Sequence, residues 1–451
     1  MASAAPELSP VLRKSPPGPS SVVFLGVWPG IARDWLGFLE RGIRQYGPVF
    51  AFKFFNIPFC YVSEPALIEE ILISSLGEYE KSLDYQVLKR MTGNGLLVSE
   101  GEFWRRQRRL AQPAFHRERI EAYARIMAEY TERRLAGWRD GDTRDAHAEM
   151  LSLTLEIVAK ALFGMDVTHE AQDFGAILDV FMKEFLNFSM YIFPEWLPIP
   201  ANWRIRRATR RLDRIVYGII SERRRRGEDT GDLLSMLLAA RDDDDKGMSD
   251  AQLRSELVTL LMAGHETTAN LLAWTFYLLS GNPEVEHGLQ TEWDLILGGR
   301  PPAAADLRRM PYTEKVVKES LRLYPPAWGV GRRALNDVQL GEYWLPAGTN
   351  FLLPQWTVHR DARFFAEPER FLPERWTPEM EKALPRFAYF PFGGGPRVCI
   401  GAAFAQMEAQ ILLATIGQKW SLRLLPNPPV ELLASITLRP KHGIPVRLEK
   451  R

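Results

Sequence analysis

Phe390-Pro391-Phe392-Gly393-Gly394-Gly395-Pro396-Arg397-Val398-Cys399-Ile400-Gly401 runs directly into a helical pattern that starts at Ala402. The glycines and prolines crowded between Phe390 and Cys399 specify an irregular loop whose amide N–H groups can face a thiolate and whose side chains can lie against a flat ligand. Cys399 closes that loop just ahead of a helix N-terminus, where the helix dipole and free amides favour a negative sulfur. Such a sulfur suits a metal ion. The other cysteine, Cys60, sits among apolar and aromatic residues and reads as an ordinary buried strand residue. Two isolated cysteines give neither a disulfide framework nor a Cys-x-x-Cys zinc site, so a reducing, cytoplasmic setting is expected.

Upstream, Ser249 and Gln252 have the spacing of a capping box, and Gly281 with Pro283 supplies a stop. One helix on the order of 45 Å long is predicted between them. Leu253, Leu257, Leu260, Leu261, Leu271, Leu272, Leu278 and Leu279 cover several of its faces, as in a helix buried in a core. The middle, Ala263-Gly264-His265-Glu266-Thr267-Thr268, breaks the pattern with a glycine, an acid and two hydroxyls, and a local rule broken inside a good helix marks a site. Gly264 and Thr267 share a face, so the missing side chain at Gly264 would let a flat ligand or small molecule reach the backbone. Thr267 would donate to the carbonyl of Ala263 or Gly264, or hold a polar ligand, and Glu266 is expected off that face, bridging to solvent. From these residues alone a kinked core helix with a satisfied threonine stays open. The zinc-protease pattern H-E-x-x-H fails, because Ala269 stands where the second histidine belongs.

The remainder reads as mostly α with minor β. Helical patterns cover 64–75, 102–137, 146–163, 171–188, 203–226, 231–241, 284–297, 312–324 and 402–417, with a small sheet from 49 to 62 and strands near 338–340, 350–353 and 421–425. Residues 1–21 form a Pro/Gly/Ser-rich tail and 22–451 one catalytic domain, without repeats or a long linker. At 451 residues, 46% hydrophobic and a net charge of +1, nothing favours nucleic acid. The N-terminal apolar runs are too short for a membrane helix, so no transmembrane anchor is expected. The runs Arg223–Arg226 and Asp242–Lys246 read as solvated ends of a helix.

The cysteine loop matches F-x-x-G-x-R-x-C-x-G at every fixed position, and with it the chain resembles the cytochrome P-450 superfamily. Three further segments resemble the same family in the same order. They are Trp104-x-x-x-Arg108, the stretch Ala263 to Thr268, and Glu319-x-x-Arg322 with Arg375 in Pro373-Glu374-Arg375-Trp376. The resemblance implies the cytochrome P-450 fold, with haem b between the long helix and the cysteine loop, and a soluble, monomeric enzyme. It makes Cys399 the proximal ligand, with Phe392 near the sulfur and Gly264 close to the cofactor. Arg397, Trp104, Arg108 and Arg332 hold propionates, and Glu319, Arg322 and Arg375 form a buried structural triad. Thr267 orients oxygen and Glu266 links it to water. Leu96, Leu97, Met262, Ala263, Trp328 and Val330 contact an apolar substrate such as a fatty acid, terpenoid or polyketide.

A thiolate ligand favours O–O cleavage, so the implied activity is O₂-dependent hydroxylation or epoxidation. No flavin or iron–sulfur motif is visible, so electrons from NAD(P)H are expected through a separate ferredoxin or flavodoxin with its reductase. Arg105, Arg106 and Arg109 offer a basic docking patch for it. Two other readings remain: a peroxide-using haem-thiolate enzyme, which commonly lacks the acid and threonine, and a haem-dependent sensor or binding protein.

Overall fold

The computed structural model describes residues 14–20, 27 and 34–451, apart from 166–170, 188, 228–229 and 243. The expected boundary between tail and domain lies outside the described residues, as does residue 188, and the helix expected over 171–188 ends at Phe185. The principal helices are α1 (Trp35–Tyr46), α2 (Leu83–Thr92), α3 (Gly101–Ala111), α4 (Arg117–Leu135), α5 (Ala146–Phe163), α6 (Ala171–Phe185) and α7 (Pro200–Arg226). They continue with α8 (Asp250–Ser280), α9 (Pro283–Leu297), α10 (Pro311–Leu323) and α11 (Ala402–Gly417). The continuous helix expected over 102–137 is two helices. Pro113 cannot donate an amide hydrogen, and the chain passes through a 3₁₀ turn at Gln112–Phe115 before α4 begins.

The strands form small sheets at the edge of this helical body. β1 (Val49–Phe54) and β2 (Ile57–Val62) make a hairpin, and β8 (Asn350–Leu353) lies parallel to β2. β5 (Val330–Ala334) lies antiparallel to β8, with the short β3 (Tyr79–Glu80) beyond it. Strand β4 (Thr143–Asp145) pairs with β12 (Pro445–Lys450), which also pairs with β9 (Trp420–Leu424). β6 (Val338–Leu340) and β7 (Tyr343–Leu345) form one hairpin, and β10 (Leu432–Ala434) and β11 (Leu438–Pro440) another.

Helix α8 organises the core. Ser249 Oγ accepts from Gln252 N while Gln252 Oε1 accepts from Ser249 N, the reciprocal cap expected of this sequence. Its 31 residues correspond to about 46 Å, and most are buried. Packed most extensively against it is α5, and α11 lies between α8 and α4. Arg223 corrects the reading of a solvated run. It donates to Asp232 Oδ1, Thr230 Oγ1, Ser235 Oγ and Phe163 O, tying the end of α7 to two other segments.

Candidate active site

The cysteine loop takes its shape from its glycines. Gly393 and Gly395 have φ of 71° and 65°, in the left-handed region that favours glycine. A Cβ on Gly394 would collide with the Phe387 ring, and one on Gly395 with the carbonyl of Leu72. The loop closes with Cys399 N donating to Phe392 O at 3.0 Å. Cys399 is exposed to a cavity of about 1170 Å³ whose wall it helps to form. Burial pushes its thiol up, while the Gly401 amide and the Arg108 guanidinium pull it back. Both opposing groups favour the thiolate that a metal ion would bind.

Behind the loop, the Glu319 carboxylate is fully buried and fully engaged. Arg322 grips it through Nε (2.9 Å) and Nη2 (2.8 Å), Arg375 Nε through a 3.0 Å bond, and Leu372 N and Trp376 Nε1 complete the set. The remaining Arg322 and Arg375 donors end on carbonyls of His359, Pro368, Arg370, Ala366 and Glu367. His359 Nε2 then accepts from Phe390 N at 3.0 Å. The cluster is thus two hydrogen bonds from the start of the cysteine loop. Trp376 is a member that the spacing Glu319-x-x-Arg322 gave no reason to expect.

The other charged group is incomplete. Lys81, Arg108, Arg332 and Arg397 line the same cavity. Arg397 bonds Ser99 O (2.8 Å) and Glu100, with its guanidinium 3.9 Å above the Trp104 ring. Arg108 donates to Val398 O at 3.0 Å. Buried Arg332 donates to Gly331 O, and buried Lys81 lies over the Tyr85 ring at 4.4 Å. Neither has a carboxylate within ion-pair distance among the described residues. Burial holds the Lys81 ammonium well below its usual range and pushes Arg397 down to about 10. Uncompensated buried cations are costly, and these face the cavity that holds the sulfur. The donor set fits haem: a sulfur for the iron on one side, and at the rim cations for two carboxylate arms. Lys81 was not legible beforehand, because it follows a two-residue strand and belongs to no motif.

On the opposite wall α8 presents Ala263, Gly264 and Thr267 to the cavity. Thr267 Oγ1 donates to Ala263 O at 2.6 Å, one of the two alternatives its position allowed. Gly264 differs from expectation. A Cβ there would point toward α5 and rest 3.4 Å from Val158 Cγ2, an ordinary contact, while the residue itself lines the cavity. Glu266 differs too. Its carboxylate is buried, not solvent-bridging, and Oε1 accepts from Thr437 Oγ1 at 2.7 Å. Leu96, Leu97, Met262, Ala263, Trp328 and Val330 all line the cavity, as does Phe392. So does the hairpin turn Leu432 to Thr437, which no sequence pattern singled out. Trp328 Nε1 pins that turn through Ser435 O at 2.8 Å. Of the expected basic patch, Arg106 is committed inward to Asp242 at 2.6 Å, and Arg105 pairs with Glu102.

The sequence matches the Cytochrome P-450 family over residues 16–445, and the chain belongs to it. It is 36% identical over 424 residues to cyclooctatin synthase of Streptomyces melanosporofaciens, covering 92% of each chain. It is 36% identical to pentalenene oxygenase of Streptomyces avermitilis, covering 86% of this chain and 87% of that one. A solved structure, retinoic acid bound cyanobacterial CYP120A1, superposes with a TM-score of 0.87 at 26% identity, over 97% of this chain and 100% of that one. The protein is therefore a haem-thiolate monooxygenase, using haem b, O₂ and electrons delivered from NAD(P)H by a redox partner, and acting on an apolar small molecule. Among the described residues no helix is long and apolar enough to cross a membrane.

Proposed function

We propose that the chain hydroxylates or epoxidises a terpenoid, as a cytoplasmic monomer, with a ferredoxin or flavodoxin and its reductase as electron source. One observation carries the reading: the cavity of about 1170 Å³ has to hold haem and substrate together, and the part of it away from the cations is walled by apolar side chains such as Leu96, Leu97, Phe185, Met262, Val330 and Leu433. A rigid, polycyclic hydrocarbon suits such a wall, because it gains from apolar burial without needing ordered polar partners. The relatives named for cyclooctatin and pentalenene support this class over a fatty acid.

When bound, haem supplies the reductive activation of O₂ and the insertion of one oxygen atom into a C–H or C=C bond. Cys399 would ligate the iron as thiolate, with the Gly401 amide and Arg108 favouring the anion against burial. Arg332, Arg397, Arg108 and Lys81 seat the propionates, with Trp104 holding the Arg397 guanidinium flat. Thr267 can exchange its bond to Ala263 O for one to a polar group in the chamber, and so hold a proton at Oγ1. Glu266 carries protons to that place. Met262, Ala263, Leu96, Leu97, Val330 and Trp328 exclude water and orient the hydrocarbon. The face beside α3 carrying Arg105, Arg109 and His116 receives the acidic redox partner.

Titration of the ferric enzyme with cyclic terpenes and with fatty acids of equal carbon number tests the substrate class. Terpenes should give the high-spin Soret shift and products heavier by one oxygen with a surrogate ferredoxin and reductase. Turnover of the fatty acids alone would overturn it, and product from hydrogen peroxide alone would move the electron source.

A further inference from the structure

Glu266 stands at the end of a line of buried side chains. Thr437 Oγ1, which bonds Glu266 Oε1 at 2.7 Å, is met by Asn270 Nδ2 at 3.1 Å. Asn270 Oδ1 in turn lies 2.8 Å from His147 Nε2, at the start of α5. All four residues are buried. With the amide nitrogen of Asn270 on Thr437 and its oxygen on the imidazole, His147 must carry its hydrogen on Nε2. Every donor then points the same way: His147 to Asn270, Asn270 to Thr437, and Thr437 to Glu266. Aligned donors polarise one another, and a line that ends on a carboxyl oxygen stabilises the carboxylate over the acid.

The line crosses three parts of the fold. His147 belongs to α5, Asn270 to α8 one turn beyond Glu266, and Thr437 to the turn between β10 and β11. That turn also supplies Leu433, Ala434 and Ile436 to the chamber wall. We propose that Thr437 is a positioning residue for Glu266, fixing the orientation of its carboxyl group, and that the hairpin thereby links substrate seating to proton supply. The proposal rests on the reading of Glu266 as the proton carrier.

The other charged groups around Glu266 are consistent with this role. Burial pushes its carboxyl up, and Thr437 gives the largest opposing effect, ahead of Arg439 of β11. Asp179 of α6, 3.9 Å from Arg439, acts in the opposite sense, and Asn270 adds a smaller pull downward. His147 on α5 and His265 on α8 are the nearby imidazoles, and they interact with each other. A bulky substrate against Leu433 and Ile436 would displace the turn, and Thr437 with it, releasing the carboxyl group from its fixed orientation at the chamber wall.

Thr437→Val removes the hydroxyl at constant shape, and Thr437→Ser keeps it. The infrared carboxyl band of Glu266, identified by its loss in Glu266→Gln, is followed against pH in the resting holoenzyme, and peroxide released per reducing equivalent is measured in turnover. In Thr437→Val the band midpoint should rise by about one pH unit, the equivalent of one hydrogen bond, and the peroxide share by roughly threefold or more. Thr437→Ser should restore both. Parent values in Thr437→Val, or equal impairment of the Val and Ser variants, would overturn the proposal. Should Thr437→Val fail to retain haem, Asn270→Leu breaks the same line one link back; an unmoved band there would overturn it equally. Full coupling in Glu266→Gln would instead remove the proton-carrier reading while leaving the infrared test of positioning intact.

Discussion

Two groups of buried arginines lie on either side of the cysteine loop, and they are built on opposite principles. Arg322 and Arg375 find every partner within the polypeptide: one carboxylate, Glu319, and a ring of backbone carbonyls. Arg332, with Lys81 beside it, reaches no carboxylate among the described residues, and Arg397 shares Glu100 while facing the cavity. The first group is complete when the chain has folded. The second is complete only when an anion enters. Charge satisfied internally serves architecture, and charge left short of a partner marks where a ligand is to sit.

Opposite responses to mutation should follow. Glu319→Ala leaves two arginines buried without their anion, and stability should fall by about 3–5 kcal/mol. Urea unfolding and the yield of haem-loaded protein would show it, and a variant as stable as the parent would erase the distinction between the groups. Arg332→Leu should do the reverse in the haem-free protein, raising stability by about 1 kcal/mol because an unpaired buried cation is removed. In the holoenzyme the same variant should lose haem roughly tenfold faster, the worth of one charge-assisted hydrogen bond. Transfer of haem to an acceptor globin measures that rate. Thr267→Ala, on the wall away from both groups, should leave haem retention unchanged and send roughly tenfold more reducing equivalents to peroxide. Coupled turnover in that variant would count against the relay.

A smaller effect concerns a buried acid that lacks what Glu319 has. Glu408 of α11 is pushed up to about 8 by burial, with Thr268 pulling back weakly. The unfolded chain ionises this group near 4.5, so between pH 4.5 and about 8 the folded state holds a proton that the unfolded state has lost. Glu408 therefore makes the protein less stable as pH rises through that window. Glu408→Gln should flatten the slope of stability against pH there, and an unchanged slope would show that Glu408 is better partnered than its surroundings indicate.

The complete group was also the legible one. Glu319, Arg322, Arg375 and Cys399 stand in short motifs, and the cap at Ser249 is local chemistry that survives folding unchanged. The incomplete group was legible where a motif touched it, at Trp104, Arg108 and Arg397, and at Arg332 through its position in the family resemblance. Lys81 and Thr437 come from a strand end and a tight turn, and only tertiary pairing brings them to the cavity. Glu266 was misread because an acid on a helix is assigned outward by default, and the hairpin that covers it lies 171 residues away. Helices α1 and α2 were missed although α1 is capped by Asp34, whose Oδ1 accepts from Gly37 N, and buries Leu36 and Leu39 on one face; both are short, and a short helix leaves few turns in which a period can be read.

The order in which these parts leave the ribosome gives the scattered site a consequence for biosynthesis. Lys81, Trp104 and Arg108 are made first, α8 next, Cys399 later, and the turn ending at Thr437 later still. Domains fold as units during synthesis, and here α11, which packs between α8 and α4, follows Cys399, so the helical body closes only after the sulfur has been made. Cofactor capture is accordingly a late act on a nearly finished chain. A cell making this protein faster than it makes haem would accumulate a folded body with an electropositive, solvent-filled cleft, a form whose lifetime is set by cofactor supply and not by sequence.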